Sequence, residues 1–401
     1  MSTAQKKVLV SGSIITFCLG IIYVWSIFQL PVMRLYGWSS ADAAFTFNIM
    51  LVSFVLGILF GGKMQDKTGP RPVVLTSGIL FAGGIFLASI IPAAYSWLFY
   101  VVYGGIAGFG VGLGFGSIIP CVQKWFPQKK GFAAGIIVCS FGASAIVVGP
   151  LANLLIGLLG LAVTFRIFAI CFFAIIITFV WFIKNPETTP AQNADTDAFK
   201  AVQQQYPPRK TLKIRNFYFI LLCMMFLVAA FFILSPMIKI FATDIGMSDP
   251  LAVVCVMVSG IASAAGGFVF PAISDTKGRK FSIYLMFIIT LAACILMLFL
   301  QNILFYIIFV ALISFCYGGP GGVFPVLVGD YYGTRNMGAN YGIIMLGFAA
   351  SALLFPFLAR FIQRDDPATF LVFIIPIVTC VAGLVLLRVI RPPADSIQDN
   401  E

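Results

Sequence analysis

The charged residues of this chain are spaced so as to leave a series of runs that contain none, and the runs have the length of a lipid bilayer. No Asp, Glu, Lys or Arg lies between Lys7 and Arg34, Asp42 and Lys63, Arg71 and Lys124, Lys130 and Arg166, or Arg166 and Lys184. The second half repeats the pattern between Arg215 and Lys239, Asp249 and Asp275, Lys280 and Asp330, Arg335 and Arg360, and Asp366 and Arg388. A helix needs about 20 apolar residues to cross the hydrocarbon, so the two gaps of about 50 residues must each hold two. The tally predicts an all-α membrane protein with twelve transmembrane helices, arranged as six, a polar interval and six more. Barrel strands would be shorter, with alternating polarity.

Composition excludes the other classes. Of 401 residues 61% are hydrophobic and 10% charged, more apolar surface than a water-soluble domain can hide. The first run is too long for a cleaved signal peptide and lacks a small-residue cleavage site, so it is expected to stay as a helix. A net charge of +11 in a soluble protein would point to nucleic acid. Here, with loops assigned alternately to the two sides, about 20 of the 25 basic residues fall on one side. Arg34, Arg166, Lys239, Arg360 and Arg364 fall on the other. The expectation is an integral multi-pass protein of the plasma (inner) membrane with both termini and the central loop cytoplasmic, membrane lipid as its surroundings, and no nucleic-acid partner. All nine cysteines sit in apolar runs without metal-type pairs, and there is no histidine. These argue against a disulfide framework, a metal, a cofactor or an enzyme.

The expected organisation is an N-terminal bundle at 1–185, a cytoplasmic linker at 186–214 with a surface helix around 197–205, a C-terminal bundle at 215–391, and a tail at 392–401. The halves repeat in register. Gly62-Lys63-Met64-Gln65-Asp66-Lys67-Thr68-Gly69-Pro70-Arg71 after the second helix is echoed by Pro271-Ala272-Ile273-Ser274-Asp275-Thr276-Lys277-Gly278-Arg279-Lys280 after the eighth, the aspartates 209 residues apart. Ser140-Phe141-Gly142-Ala143-Ser144 is matched by Gly347-Phe348-Ala349-Ala350-Ser351, 207 residues later. A six-helix repeat is the mark of a two-domain carrier.

The Gly-x-x-x-Asp-Lys-x-Gly-Pro-Arg pattern from Gly62 to Arg71 resembles the signature loop of the major facilitator superfamily. Gly20-Ile21-Ile22-Tyr23-Val24-Trp25-Ser26-Ile27-Phe28, Lys124-Trp125-Phe126-Pro127-Gln128-Lys129-Lys130-Gly131 and Asn340-Tyr341-Gly342 resemble the oxalate/formate antiporter family, relatives of the monocarboxylate carriers. The resemblance implies two six-helix bundles closing alternately above and below one central site. In that scheme Asp66 faces the positive end of a helix dipole or a nearby cation when the cytoplasmic side is shut, and Asp275 does the same in the other half. Arg71, Lys124, Arg279, Asp330 and Arg335 are the available partners; simple loop anchoring is the rival reading. Gly69 and Gly278 would allow sharp turns.

For the substrate, the resemblance directs attention to the first, fourth, seventh and tenth helices, flanked by the second, fifth, eighth and eleventh. Tyr23 and Trp25 with Gln29 lie on different faces of the first helix, and the resemblance favours Tyr23 as the aromatic wall, with packing as its rival. Phe115, Phe141, Ser263, Met345 and Phe348 occupy further candidate positions. Tyr317 precedes Gly318-Gly319-Pro320-Gly321-Gly322, where an opened turn would offer amides to an anion; a simple kink is the alternative. Lys239 either reaches inward or snorkels to the headgroups, the default for a lysine near a helix end.

One departure bears on cargo. Oxalate-carrying relatives present basic residues from the eighth and eleventh helices, at positions that here are Gly267 and Phe348. An unpaired dianion in a low-dielectric site is costly, which argues against oxalate. The expected function is therefore secondary transport of a small monocarboxylate of the formate, lactate or pyruvate type, by a monomer. A neutral or amphipathic cargo is the alternative, and a transporter-like sensor a third.

Overall fold

The computed structural model describes residues 1–186, 205–362 and 370–391. The tail at 392–401, Arg364, Asp366 and, apart from Gln205, the expected surface helix at 197–205 lie outside the described residues. What is described is helical throughout. Eleven stretches are long and apolar enough to cross a membrane, and one of them, Lys130–Phe182, has 53 residues. That stretch is broken at Gly160, whose φ of 79° and ψ of 168° end one helix and start the next. Twelve membrane-length segments result. They are α1 (3–36), α2 (Ser40–Thr68), α3 (Pro70–Ala88), α4 (Tyr100–Trp125), α5 (130–159), α6 (161–182), α7 (Arg215–Asp244), α8 (Asp249–Lys277), α9 (Arg279–Phe299), α10 (Ile303–Tyr332), α11 (Met337–Ile362) and α12 (Phe370–Val389).

Local chemistry sets the ends. Ser39 caps α2 through a reciprocal pair of bonds with Asp42, and the Asn302 side chain caps α10. In both repeated loops a glycine closes one helix and opens the next. Gly69 has φ 83° between α2 and α3, and Gly278 has φ 91° between α8 and α9. A side chain at either position would strain the backbone.

The described residues group into two compact units. One comprises 1–127, 140–186 and 335–342; the other comprises 128–139, 205–334, 343–362 and 370–391. In the first unit α4 packs its glycines against two neighbours. A Cβ on Gly112 would fall 2.0 Å from the Phe54 carbonyl of α2, and one on Gly110 would fall 2.6 Å from Phe81 of α3. Small residues substitute for the hydrophobic effect here, because lipid is as apolar as leucine and only close van der Waals approach favours association. Buried hydroxyls add cross-links: Ser77 donates to the Gly110 carbonyl at 2.7 Å and Ser117 to that of Gly61 at 3.3 Å.

The second unit uses the same devices. Ser259 and Ser314 share a 2.7 Å hydroxyl bond between α8 and α10, and Tyr306 donates to the Ile238 carbonyl of α7 at 2.7 Å. Gly266 is the tightest contact, since a Cβ there would lie 1.7 Å from the Phe315 carbonyl. Gly266→Ala is therefore expected to force α8 and α10 apart and lower the melting temperature of the detergent-solubilised protein. The overpacking cost is about 1–3 kcal/mol. Gly83→Ala, where nothing lies within 4 Å, is expected to leave the melting temperature unchanged or slightly raised.

Candidate functional site

The first candidate group is built on a local irregularity of α1. Regular α-helix runs to Leu19, tightens to 3-10 geometry over Gly20–Val24, and resumes at Trp25. Gly20 lies against α5 at this point: a Cβ there would come 2.1 Å from the Phe141 carbonyl and 2.6 Å from Ser144 Cβ. The irregular stretch presents Tyr23, which is 40% exposed and sets its ring edge-on to Phe141 at 5.4 Å and 72°. Phe141 in turn lies 4.8 Å from Phe115, and Phe54 lies 5.6 Å from Phe115 and 6.0 Å from Phe141. Phe54, Phe115 and Phe141 are buried. Trp25 turns the opposite way, buried against Phe99 and Tyr103, and Gln29 is half-buried. Tyr23 thus supplies the open polar edge of an otherwise apolar aromatic group.

A matching group lies in the second unit. Helix α7 is interrupted at Val228 (φ −90°, ψ −3°) and tightens to 3-10 geometry at Ser235–Met237, where Pro236 removes a backbone donor. Between the interruptions Phe231 stacks on Tyr317 at 3.6 Å and 11°. Phe232 meets Phe348 edge-on at 5.0 Å and Tyr317 at 5.8 Å. Phe231 stands 208 residues after Tyr23 and Phe348 stands 207 after Phe141, but in the second half it is the next residue, Phe232, that lies beside the phenylalanine of the fifth helix. Met345 is buried and Ser263 half-buried, and the Ser263 carbonyl lies against α10, 1.9 Å from where a Gly318 Cβ would sit. Lys239 is exposed near the end of α7.

Two expectations meet different geometry. The glycine run after Tyr317 is not an opened turn. Gly319 has helical angles (φ −65°, ψ −42°), its amide donates to the Cys316 carbonyl, and its carbonyl accepts from Gly322 and Val323. The amides of Gly319, Gly322 and Val323 are used within α10 and Pro320 has none, so the run reads as a kinked helix. Arg71 also turns away from the aspartates: it donates to the Trp181 carbonyl at 2.7 Å and stacks on the Trp181 ring.

The charged residues cluster where the two repeated loops lie. Asp275, at the end of α8, accepts the amides of Gly131 at 2.9 Å and Phe132 at 2.7 Å in the first turn of α5. Arg279 ties that carboxylate to Asp330, donating to the latter at 3.0 Å, and Lys130 closes the network on Asp330 at 2.8 Å. In the first unit Asp66 accepts the Ala339 amide at 3.1 Å in the first turn of α11. With its amide turned so that nitrogen faces the carboxylate, Gln65 links it onward, nitrogen 3.2 Å from Asp66 and oxygen 3.3 Å from Lys124 Nζ. Arg335 is exposed in the turn before α11. A carboxylate at a helix N-terminus meets both unsatisfied amides and the positive end of the dipole, so both contacts are favourable for the same reason. Close approach depends on missing side chains: a Cβ on Gly131 would fall 2.2 Å from the Pro271 carbonyl, and one on Gly62 would fall 2.1 Å from that of Gly338.

Lys130, Phe54, Phe231 and Phe232 were absent from the sequence candidates. The half-length repeat carried a signal for Phe231, through Tyr23. Lys130 had none, because its partner is 200 residues away.

Known proteins share both the sequence and the shape. The sequence profile described as Major Facilitator Superfamily matches residues 10–356. The chain belongs to the major facilitator superfamily. It is an integral, multi-pass membrane transporter and not an enzyme. Among its relatives are the Escherichia coli (strain K12) MFS-type transporter YhjX, 26% identical over 85% of this chain and 84% of that one, and the Toxoplasma gondii apicoplast pyruvate carrier 1, 25% identical over 80% and 69%. The Oxalobacter formigenes oxalate:formate antiporter is 23% identical over 83% and 79%. The structure of the transporter FucP in its outward conformation has a TM-score of 0.73, covering 96% of this chain and 99% of FucP at 14% identity. That likeness is one of fold.

Removing Asp330 would leave Lys130 and Arg279 without their shared carboxylate. Asp330→Ala is expected to destabilise the detergent-solubilised transporter by about 1–3 kcal/mol, read as a lowered melting temperature. Asp275→Asn leaves one acceptor oxygen where the two amides bond separate oxygens, turns a donor toward the other amide and removes the charge facing Arg279, so it is expected to cost at least as much. An unchanged melting temperature in Asp275→Asn would contradict this.

Proposed function

We propose that this transporter moves a small organic anion bearing one carboxylate, of the formate, lactate or pyruvate type, by alternating access and without carrying oxalate. The observation that carries the reading is the identity of the two positions expected to be basic in oxalate carriers. One is Gly267 and the other is Phe348, which takes part in the aromatic group with Phe232 and Tyr317. A dianion there would lose two counter-charges, whereas one carboxylate is met by tyrosine hydroxyls at smaller cost. The names of the pyruvate carrier and the oxalate:formate antiporter support the same class. In this scheme Tyr23 is the polar contact of the first unit's aromatic group, beside Phe115 and Phe141, and Tyr317 that of the second unit's, beside Phe348. Gly267 is closed to a larger residue while α5 and α8 stay in contact, since a Cβ there would lie 2.8 Å from Val138 Cγ1.

The Asp66 and Asp275 contacts act in this reading as the latches of one closed state, made on the face expected to be cytoplasmic. Transport requires breaking a few charge-assisted bonds and re-forming them. The bundle boundaries at 1–185 and 215–391 are the bodies that would move. A neutral or amphipathic cargo is the second reading, favoured by the same Phe348.

Counterflow of labelled monocarboxylates in proteoliposomes tests the assignment. Uptake of lactate, pyruvate or formate against an unlabelled internal pool is expected; movement of neutral solutes alone would overturn it. Tyr23→Phe is expected to raise KM about tenfold, the loss of one hydrogen bond of about 1.4 kcal/mol, with folding unchanged. Phe348→Lys is expected to shift preference toward dicarboxylates in the same assay.

A further inference from the structure

At one end of the first unit, positive charge accumulates with no ion-pair partner among the described residues for Lys6, Lys7 or Arg71. Helix α1 begins with Lys6 and Lys7, and α3 begins with Arg71 immediately after Pro70. Neither helix has an acidic residue in its first turn. Both helix starts carry the positive end of the dipole, so cations there are in the least favourable position along a helix. The turn that closes α6, Val180–Phe182, lies between them. Lys7 Nζ stands 5.9 Å from the centre of the Phe182 ring, and the Arg71 guanidinium 5.5 Å from that of Trp181. Arg71 spends one nitrogen on the Trp181 carbonyl, while its Nε is buried and has no acceptor among the described residues.

The surroundings identify what fits these cations. Trp181 is 62% exposed, and along α6 it follows Ile177 and Ile170, also exposed, at spacings that keep all three on one side of the helix. Two cations therefore stand at the end of an apolar stripe on a membrane-spanning helix. A phosphodiester with acyl chains matches both parts: its phosphate meets the two cations, and its chains lie along Ile170, Ile177 and Trp181. We propose that this end of the first unit holds one anionic phospholipid, its phosphate between Lys7 and Arg71 over the Trp181-Phe182 turn. The site is independent of the aromatic groups and of the Asp66 and Asp275 contacts.

Native mass spectrometry of the full chain, released from detergent carrying equal amounts of phosphatidylglycerol and phosphatidylcholine, tests this. The expected result is a single retained phosphatidylglycerol, enriched at least about fivefold over phosphatidylcholine. The double variant Lys7→Gln/Arg71→Gln is expected to lose the enrichment. Lys213→Gln/Arg215→Gln, which removes the same charge elsewhere, is expected to keep it. Equal retention of the two lipids by the unaltered protein would overturn the proposal, as would equal loss in both double variants, which would mean diffuse attraction to net charge. Displacement of the lipid by millimolar inorganic phosphate would overturn it in favour of a free-phosphate site. If the first double variant fails to fold, Lys7→Gln alone, at an exposed side chain, is expected to halve the enrichment or more.

Discussion

In hydrocarbon no water replaces a lost backbone hydrogen bond, and the consequences of that constraint run through this transporter. Every described crossing is a helix, and its departures from regular helix are short. The 3-10 stretch of α1 lies against α5 through Gly20, and the interruptions of α7 flank residues packed on α10 and α11. Because irregular backbone is costly in lipid, its appearance at related places in the two halves marks a position with a use. Both places present aromatic rings.

Those rings form a group in each unit with little polarity of its own. Tyr23 and Tyr317 contribute hydroxyls; Phe54, Phe115, Phe141, Phe231, Phe232 and Phe348 contribute none. Where a carrier of a doubly charged acid would need cations, an aromatic side chain and a packing glycine stand instead. Under the proposed function, a single carboxylate needs one or two good donors, whereas a dianion needs compensating charge.

Charge is concentrated instead at the ends of the helices, where water and headgroups are available. Asp66 and Asp275 engage helix starts in the same way, but their supporting residues differ. Asp275 belongs to a four-residue network with Arg279, Asp330 and Lys130, while Asp66 is joined through Gln65 to Lys124. The repeat in sequence preserved the aspartates and let their partners diverge.

The count of crossings, the two-fold repeat and the family were legible in the sequence because each depends on local properties: run length, charge position and loop motif. Tyr23, Phe141, Asp66 and Asp275 were reachable by the same route, through motif and repeat. The partner choices were not. Arg71 bonds a carbonyl at the end of α6, Lys130 bonds Asp330, and the glycines after Tyr317 continue a helix. Each is settled by which segments lie side by side, and in a chain whose helices are almost uniformly apolar many neighbours are compatible with the pattern. Packing of small residues and the need to satisfy each buried donor choose among them, and those terms exist only once the helices are assembled.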